Sequence, residues 1–331
     1  MSDRLAGHKA TGAASSGVAL DKRTLKQLMR RSDLPGLKYL AIWAVLLGGS
    51  GFLLYQSFSF GLFAVVPAML LFGAILTVPA YSLSHECSHG TAFKTRWLNE
   101  SVLFITSLIY LEGPYFRRYA HARHHTYTWL RGLDAQMPFN TPLSLKGWFL
   151  EVSGFGQYLY DFPHLVRNAF GRFHPDVVAF TPKSELPKLK WEARAFLAIY
   201  AGGAFLAVWH SVLWPLYFLV LPRILGGVAM QLFTIIQHAE MEEDNPDIKK
   251  STRSFATNWF GNFLYANMAN HVEHHLYPTV PFYNLPAIRE AVAEQVHEPD
   301  DGLLRTNWKV FRAVLNRTFS RSSPVAGENT A

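Results

Sequence analysis

Two long apolar runs, at about 36–58 and 60–83, restrict this chain more than any other feature, because only a few uncharged residues separate them. About 20 apolar residues suffice for one helix to cross a bilayer. In lipid the backbone must satisfy its own hydrogen bonds, so each run has to be helical. The short connection makes the two runs a hairpin. A further stretch, from about 193 to 236, is long enough for a second hairpin, with spans at about 193–210 and 214–236 and a turn near His210–Pro215. A run near 101–111 is too short to cross and reads as a re-entrant or interfacial helix.

Composition agrees. Half of the 331 residues are hydrophobic and only 17% are charged, less charge than a soluble chain usually carries. The net charge of +7 is not gathered into a groove for nucleic acid. Much of it flanks the apolar runs, where it suits anionic headgroups. Cys87 is the only cysteine, so an intrachain disulfide and a thiolate metal site are both excluded. The first 35 residues hold no apolar core of a signal peptide. Arg4, Lys9, Lys22, Arg23, Lys26, Arg30, Arg31 and Lys38 gather before or at the start of the first run, while the hairpin tips have no Lys or Arg near them. Positive residues mark the cytoplasmic side, so both termini are expected there.

The expected architecture is all-α and integral to the membrane: four transmembrane helices in two hairpins under a cytoplasmic helical cap. Residues 1–35 are expected to be a flexible cytoplasmic segment, 36–316 a single membrane domain with its cap from 84–192 and 237–316, and 317–331 a flexible tail. Within the cap, 131–190 is rich in aromatic residues such as Trp148, Tyr158 and Phe162. Arg223, beside Pro222 in the fourth run, either snorkels outward or sits at a kink.

Three histidine clusters lie on this frame: His85-Glu86-Cys87-Ser88-His89, His121-Ala122-Arg123-His124-His125 and His271-Val272-Glu273-His274-His275. With 14 histidines in 331 residues, a random chain would contain an HxxHH about 0.025 times, and this one has two. Residues at i, i+3 and i+4 are neighbours on a helix surface, and neutral imidazole is the commonest side-chain ligand for transition metals. Eight rings are too many for one ion and suit two. With four spans, all three clusters emerge on the cytoplasmic face, a placement reached without any metal argument.

Three chemistries compete for such a site. His85-Glu86-x-x-His89 fits a zinc protease motif with Glu86 as general base, but that reading leaves two clusters idle. A transport or structural metal site would place ligands near the midplane, whereas these lie at one edge. A non-haem di-iron oxidoreductase uses every cluster, and metal chemistry is what an unactivated C–H bond requires. Glu86, Asp134, Glu240 and Glu273 are candidates to orient imidazoles through their second nitrogen, with Asp134 foremost and Glu240 read as a solvated charge. His8, His164, His174, His210 and His297 are read as ordinary residues.

H-E-x-x-H-G at 85–90, H-x-R-H-H at 121–125 and N-H-V-E-H-H-L-Y-P at 270–278, in this order between paired spans, resemble the three histidine boxes of the membrane fatty acid desaturase and hydroxylase superfamily. The likeness covers roughly 36–290. It implies a mushroom-shaped bundle of four helices, a cap holding two irons, and dioxygen as co-substrate. It also implies His238, after Gln237, as a ninth ligand, with His124 and His274 carried over as ligands with the rest: His85, His89, His121, His125, His271 and His275. Some members of the superfamily bind metal through an asparagine and a water. Asn267 and Asn270 lie nearby, and neither is matched to that role. The resemblance implies two electrons from a separate carrier of ferredoxin, rubredoxin or cytochrome b5 type, and a bacterial inner-membrane location. Desaturation of a fatty acyl (acyl-lipid type) chain is the favoured reaction. The runner-up is hydroxylation or ketolation of a carotenoid, alkane or other small substrate.

Overall fold

The computed structural model describes residues 11–137 and 141–320. Among these residues the structure is helical, with a single isolated bridge between Phe255 and Asp300 and no strand. Four helical segments are long and apolar enough to cross a membrane: Asp33–Phe60, Leu62–Ser88, Leu186–Trp209 and Leu216–Gln237.

A short α1 (Lys22–Leu28) precedes the first span, α2 (Asp33–Ser57). A single 3-10 turn, Phe58–Phe60, and Gly61 at φ 77° reverse the chain into α3 (Leu62–Ser88). The short run near 101–111 belongs to a longer amphipathic helix, α4 (Arg96–Tyr110), which packs on α3 through Val102, Leu103 and Thr106 and leaves Trp97 and Ile105 exposed. Then follow α5 (Pro114–Thr126) and the cap helices α6 (Leu145–Val152), α7 (Phe155–Ala169) and α8 (Pro175–Phe180). The third span, α9 (Leu186–Trp209), begins seven residues before the apolar run does, so Lys188, Lys190 and Arg194 ride on its first turns. The fourth span opens with a π-helical stretch, Leu216–Val220, continues as α10 (Leu221–Thr234), and ends in a 3-10 turn, Ile235–Gln237. Beyond it lie α11 (Ile248–Ser251), α12 (Trp259–Leu264), α13 (His271–Leu276), α14 (Leu285–Val292) and α15 (Leu303–Ser320).

Lipid is as apolar as leucine, so burial of apolar surface does not drive helices together within a bilayer; close packing does. The central contact shows this. At the crossing of α3 and α10, a Cβ on Gly226 would sit 2.1 Å from Gly73 backbone, and one on Gly73 would sit 2.2 Å from the Pro222 carbonyl. Thr77 Oγ1 donates to the carbonyls of Gly73 and Gly226, both at 2.8 Å. Trp43 on α2 donates from its indole to the Ile75 carbonyl at 2.7 Å. The outward faces are apolar and exposed, as at Val45 (74%), Phe63 (100%) and Val208 (79%). Trp191 and Trp209 are both exposed on α9, 18 residues apart. That is about 27 Å of helix, close to the roughly 30 Å hydrocarbon core. The two hairpin tips meet through Tyr55, Phe58, Trp214 and Tyr217, so the histidine-bearing ends of α3 and of the fourth span lie together at the opposite end.

Some expectations need correction. Residues 11–35 are not a loose segment. The backbone N–H of Thr11 donates to the Thr126 carbonyl at 2.9 Å and its hydroxyl donates to the His125 carbonyl at 2.8 Å. Ser16 Oγ accepts from Ile248 N at 2.8 Å, and Val18 is buried. This stretch straps the end of α5 to the region of the third cluster. At the other end, α15 continues through 317–320, and Arg317 forms two 2.7 Å bonds to Glu240. Glu240, exposed as expected, also anchors α15 through this pair. Residues 1–10, including His8, and 321–331 lie outside the described residues.

Candidate metal centre

α3 delivers His85 and His89 one turn apart at its inner end. α5 delivers His121, His124 and His125, and its start is held by Glu192 of α9, whose carboxylate accepts from the N–H groups of Tyr115 and Phe116 at 2.8 and 3.1 Å. Exposed N–H groups at a helix start favour such a carboxylate. Gly113 at this joint leaves the room Glu192 needs, since a Cβ there would lie 2.4 Å from its Oε1. α13 delivers His271, His274 and His275, and His238 follows the 3-10 turn that ends the fourth span.

These nine rings form two groups. His85, His89, His121, His125 and His274 make one, and His124, His238, His271 and His275 make the other. Within each group one ligand atom per residue lies within 4.8 Å of all the others. Each HxxHH is divided the same way: its first and last histidines serve one group and its middle histidine serves the other. Helical geometry accounts for this. Positions i and i+4 are about 40° apart around the axis, while i+3 falls on the other side of i. α5 and α13 thus exchange their middle rings.

Contacts at the second ring nitrogens fix tautomers. His124 Nδ1 donates to Asp134 at 2.9 Å, His121 Nδ1 to Gln136 Oε1 at 2.7 Å and His238 Nδ1 to the Ser251 carbonyl at 2.9 Å. Thr128 Oγ1 donates to the His124 carbonyl at 2.8 Å and accepts from His275 Nδ1 at 3.1 Å. The Nε2 atoms of these rings are then bare lone pairs, and they converge. His238 and His275 both aim Nε2 at His271 Nε2, at 3.2 and 3.1 Å. One proton on His271 could serve only one of them. In the larger group the contacts His121–His85, His125–His121 and His274–His125 are 3.1, 3.0 and 3.1 Å, and His85–His274 is 2.6 Å. A first-row metal bound at about 2.0–2.1 Å holds ligands at right angles about 2.9–3.0 Å apart. Converging lone pairs at these spacings fit a cation in each group.

Protonation state agrees with that fit. Burial lowers the pKa of His89 and of His238 to about 3, and places His121, His125, His271, His274 and His275 well below the ordinary histidine range, with neighbouring imidazoles adding to the effect. Neutral imidazole is the form that binds metal.

The acidic candidates separate. Asp134 bonds to His124 and also accepts from the backbone N–H groups of Trp129 and Gln136, at 2.8 and 2.7 Å, so one buried carboxylate holds both a ring and the loop beneath it. Glu86 is not hydrogen-bonded to an imidazole. It accepts from Thr91 Oγ1 at 3.0 Å, and its other oxygen stands 3.8 Å from His274 Nδ1. Glu273 is corrected in role: it accepts from Ser254 Oγ at 2.7 Å and pairs with Arg289 at 2.9 Å, which anchors α13 rather than a ring. The side-chain amides of Asn267 and Asn270 donate to the carbonyls of Phe282 and Asn267. His164, His174, His210 and His297 join neither group. Sequence reasoning missed Gln136, Thr128 and the Ser251 carbonyl. Thr128 stands four residues after His124, a spacing that could have drawn attention to it.

The sequence matches the family described as Fatty acid desaturase over residues 60–306. The chain belongs to the fatty acid desaturase family. Among similar proteins is an sn-1 acyl-lipid omega-3 desaturase (ferredoxin) of Nostoc sp. (strain 36), 22% identical over 251 residues, covering 69% of this chain and 68% of that one. The sphingolipid delta(4)-desaturase/C4-monooxygenase of Homo sapiens is 28% identical over 226 residues, covering 66% of this chain and 62% of that one. The sn-1 oleoyl-lipid 12-desaturase of Arthrospira platensis is 22% identical over 283 residues, covering 77% and 76%. The matched region of this desaturase-family chain contains all three histidine clusters and His238.

Proposed function

We propose that this protein is a membrane-embedded, O2-dependent oxidoreductase that forms a C=C bond in a fatty acyl substrate, using two irons. His85, His89, His121, His125 and His274 would hold one iron, and His124, His238, His271 and His275 the other. The observation that carries this reading is the division of nine imidazoles, most of them buried, into two convergent groups at one end of a four-helix membrane bundle. Family membership and the desaturases among its relatives support the reaction type.

The bound irons would supply the redox chemistry that breaks C–H bonds. The balance is one O2, two electrons and two protons, with two substrate hydrogens leaving, to give the alkene and two waters. The chain's own groups prepare the site. Asp134, Gln136, Thr128 and the Ser251 carbonyl fix ring orientation. Trp129, buried, stacks on His238 at 5.2 Å between centroids and helps hold that ring in place. Electrons would come from a separate carrier, and a ferredoxin fits the name of one relative. Both termini and the metal site would face the cytoplasm of a bacterial inner membrane, as the Lys/Arg asymmetry favours.

Elemental mass spectrometry of the detergent-purified protein tests the centre, with lipid profiling of expressing membranes alongside. Two irons per chain and a new oxygen-dependent alkene are expected. One zinc that cannot be exchanged for iron with recovery of activity would overturn the reading.

A further inference from the structure

A cavity of about 300 Å³ opens against both histidine groups, lined by His85 and His121 of one and by His124, His238 and His271 of the other. Glu151, on the cap helix α6, belongs to the same wall. It is 5% exposed, and among the described residues no hydrogen bond and no cation acts on its carboxyl. Its oxygens are not sealed in by packing, in contrast to Arg117 Nε and Nη2 and Asp161 Oδ2 nearby. Gly156, also on the wall, leaves it room, since a Cβ there would lie 2.6 Å from Glu151 Oε1. The Glu151 carboxyl is therefore open to the cavity and to little else.

A carboxyl removed from bulk water without a partner is costly, and an apolar or amide side chain in its place would avoid that cost. Such exceptions call for an explanation, and beside a reaction site the explanation is often chemical. The helices packed against α6 bring Tyr160 and Asp161 (α7), Arg223 (α10) and Arg312 and Arg317 (α15), and the cavity wall adds Glu112 and Arg117. None of these shifts the Glu151 carboxyl: burial alone raises it to about 7. Its acid and its carboxylate are then both populated near neutral pH, as a group that gives and regains protons requires. Gln136, Gln157, Gln231 and Thr234 share the walls, and Gln136 also holds His121. A polar cavity of this size admits water, which carries protons between wall and histidines.

We propose that Glu151 is the proton donor for oxygen reduction at this site, acting through water in the cavity. Alkene formation takes up one O2, two electrons and two protons. The electrons come from the carrier. The Glu151 O–H bond breaks as a water of the cavity takes the proton and passes one on to the oxygen being reduced. The carboxylate regains its proton from cavity water, so Glu151 is unchanged over the cycle. The two substrate hydrogens complete the two product waters. This rests on the desaturase reading for the whole reaction, but proton delivery to oxygen can be measured with no substrate present.

Two variants of the full chain separate the carboxyl from its placement. Glu151→Gln removes the proton, and Gly156→Ala keeps it but presses on Oε1, the movable end of the side chain. Iron content and Tm of each are checked in detergent, so that misfolding is visible. The first readout needs no turnover. Infrared difference spectra of the oxidised, iron-loaded protein should show a carboxylic-acid band that disappears as pH rises through about 7 and is missing from Glu151→Gln. Identical spectra for the two proteins would overturn the proposal. The second readout is reoxidation of the reduced, iron-loaded protein by O2 without substrate, in which two electrons and two protons convert O2 to hydrogen peroxide. The wild-type rate should fall as pH rises through the same range. Glu151→Gln should be slower by about 10²-fold, within the usual range for a lost proton donor, and lack that pH dependence. Gly156→Ala should slow the step less. A folded, iron-loaded Glu151→Gln that reoxidises like wild type at every pH would overturn the proposal, and a defect seen only with substrate present would reassign Glu151 to substrate binding. Glu151-dependent reoxidation without any alkene product would leave the proton role standing and sink the desaturase reading instead.

Discussion

At the scale of single residues, imidazole orientation is set by neighbours that are not themselves ligands. Asp134 holds His124 at 2.9 Å and two backbone N–H groups with the same carboxylate. Removing it frees the ring and the loop together. Asp134→Ala should lower metal affinity by about 10–100-fold, read by metal titration of the purified protein, with membrane insertion retained. Unchanged affinity would show that the ring is held by packing alone. Glu151 makes a separate prediction. Its ordinary value is 4.5, and burial raises it to about 7 in the folded protein. The folded state therefore holds a proton that the unfolded chain releases, and the favourable contribution, full below 4.5, is lost as pH rises to about 7. Glu151→Gln should thus raise thermal stability at pH 8 more than at pH 5. An equal shift at both values would mean that the carboxyl is solvated.

At the scale of elements, two joints position the clusters. The N–H groups at the start of α5 dock on Glu192 of α9, and α3 meets α10 at Gly73 and Gly226. The second joint sets how closely His85 and His238 approach from the ends of two spans. Because a Cβ at Gly226 would lie 2.1 Å from Gly73 backbone, Gly226→Val cannot be absorbed by a rotamer change. It should cost about 1–3 kcal/mol or more, seen as a lower Tm in detergent and loss of bound metal. Full metal content in that variant would show that the cap, and not the crossing of the spans, sets the spacing of the groups. Arg223 also resolves at this scale. It does not simply snorkel: a π-helical stretch precedes it, and its guanidinium stacks 4.5 Å over Tyr158 of the cap helix α7 and 5.9 Å from Tyr110. Cation–π contacts of this kind are strongest when desolvated.

At the scale of the whole molecule, four spans carry a helical cap at one end, with the hairpin tips at the other. Topology can be mapped directly, because Cys87 is buried and is the only cysteine. In a Cys87→Ser background, Gly61→Cys at a hairpin tip should react with a membrane-impermeant maleimide added to intact cells, and Ser320→Cys only after the cells are opened. The reverse pattern would invert the proposed orientation.

The sequence by itself determined that this chain crosses a membrane, because runs of apolar residues admit only helices in lipid. It also marked out the histidines, because their spacing matches a helix face. The spans at 36–58 and 60–83 correspond to α2 and α3 with small shifts, and His238 stands among the other eight rings. Only the tertiary structure decided which ring belongs to which group. The exchange of His124 and His274 depends on how α5 and α13 face each other, and helical periodicity carries no information about a partner helix. The polar partners also came from the fold alone. Gln136, Thr128, Arg117 and Asp161 look like ordinary polar residues in the sequence, and what distinguishes them is burial beside the site. The strap at residues 11–20 looked loose because its composition is polar and small, yet its hydrogen bonds go to residues more than 100 positions away. Local chemistry fixes what each segment can do, and long-range packing fixes which of its groups meet.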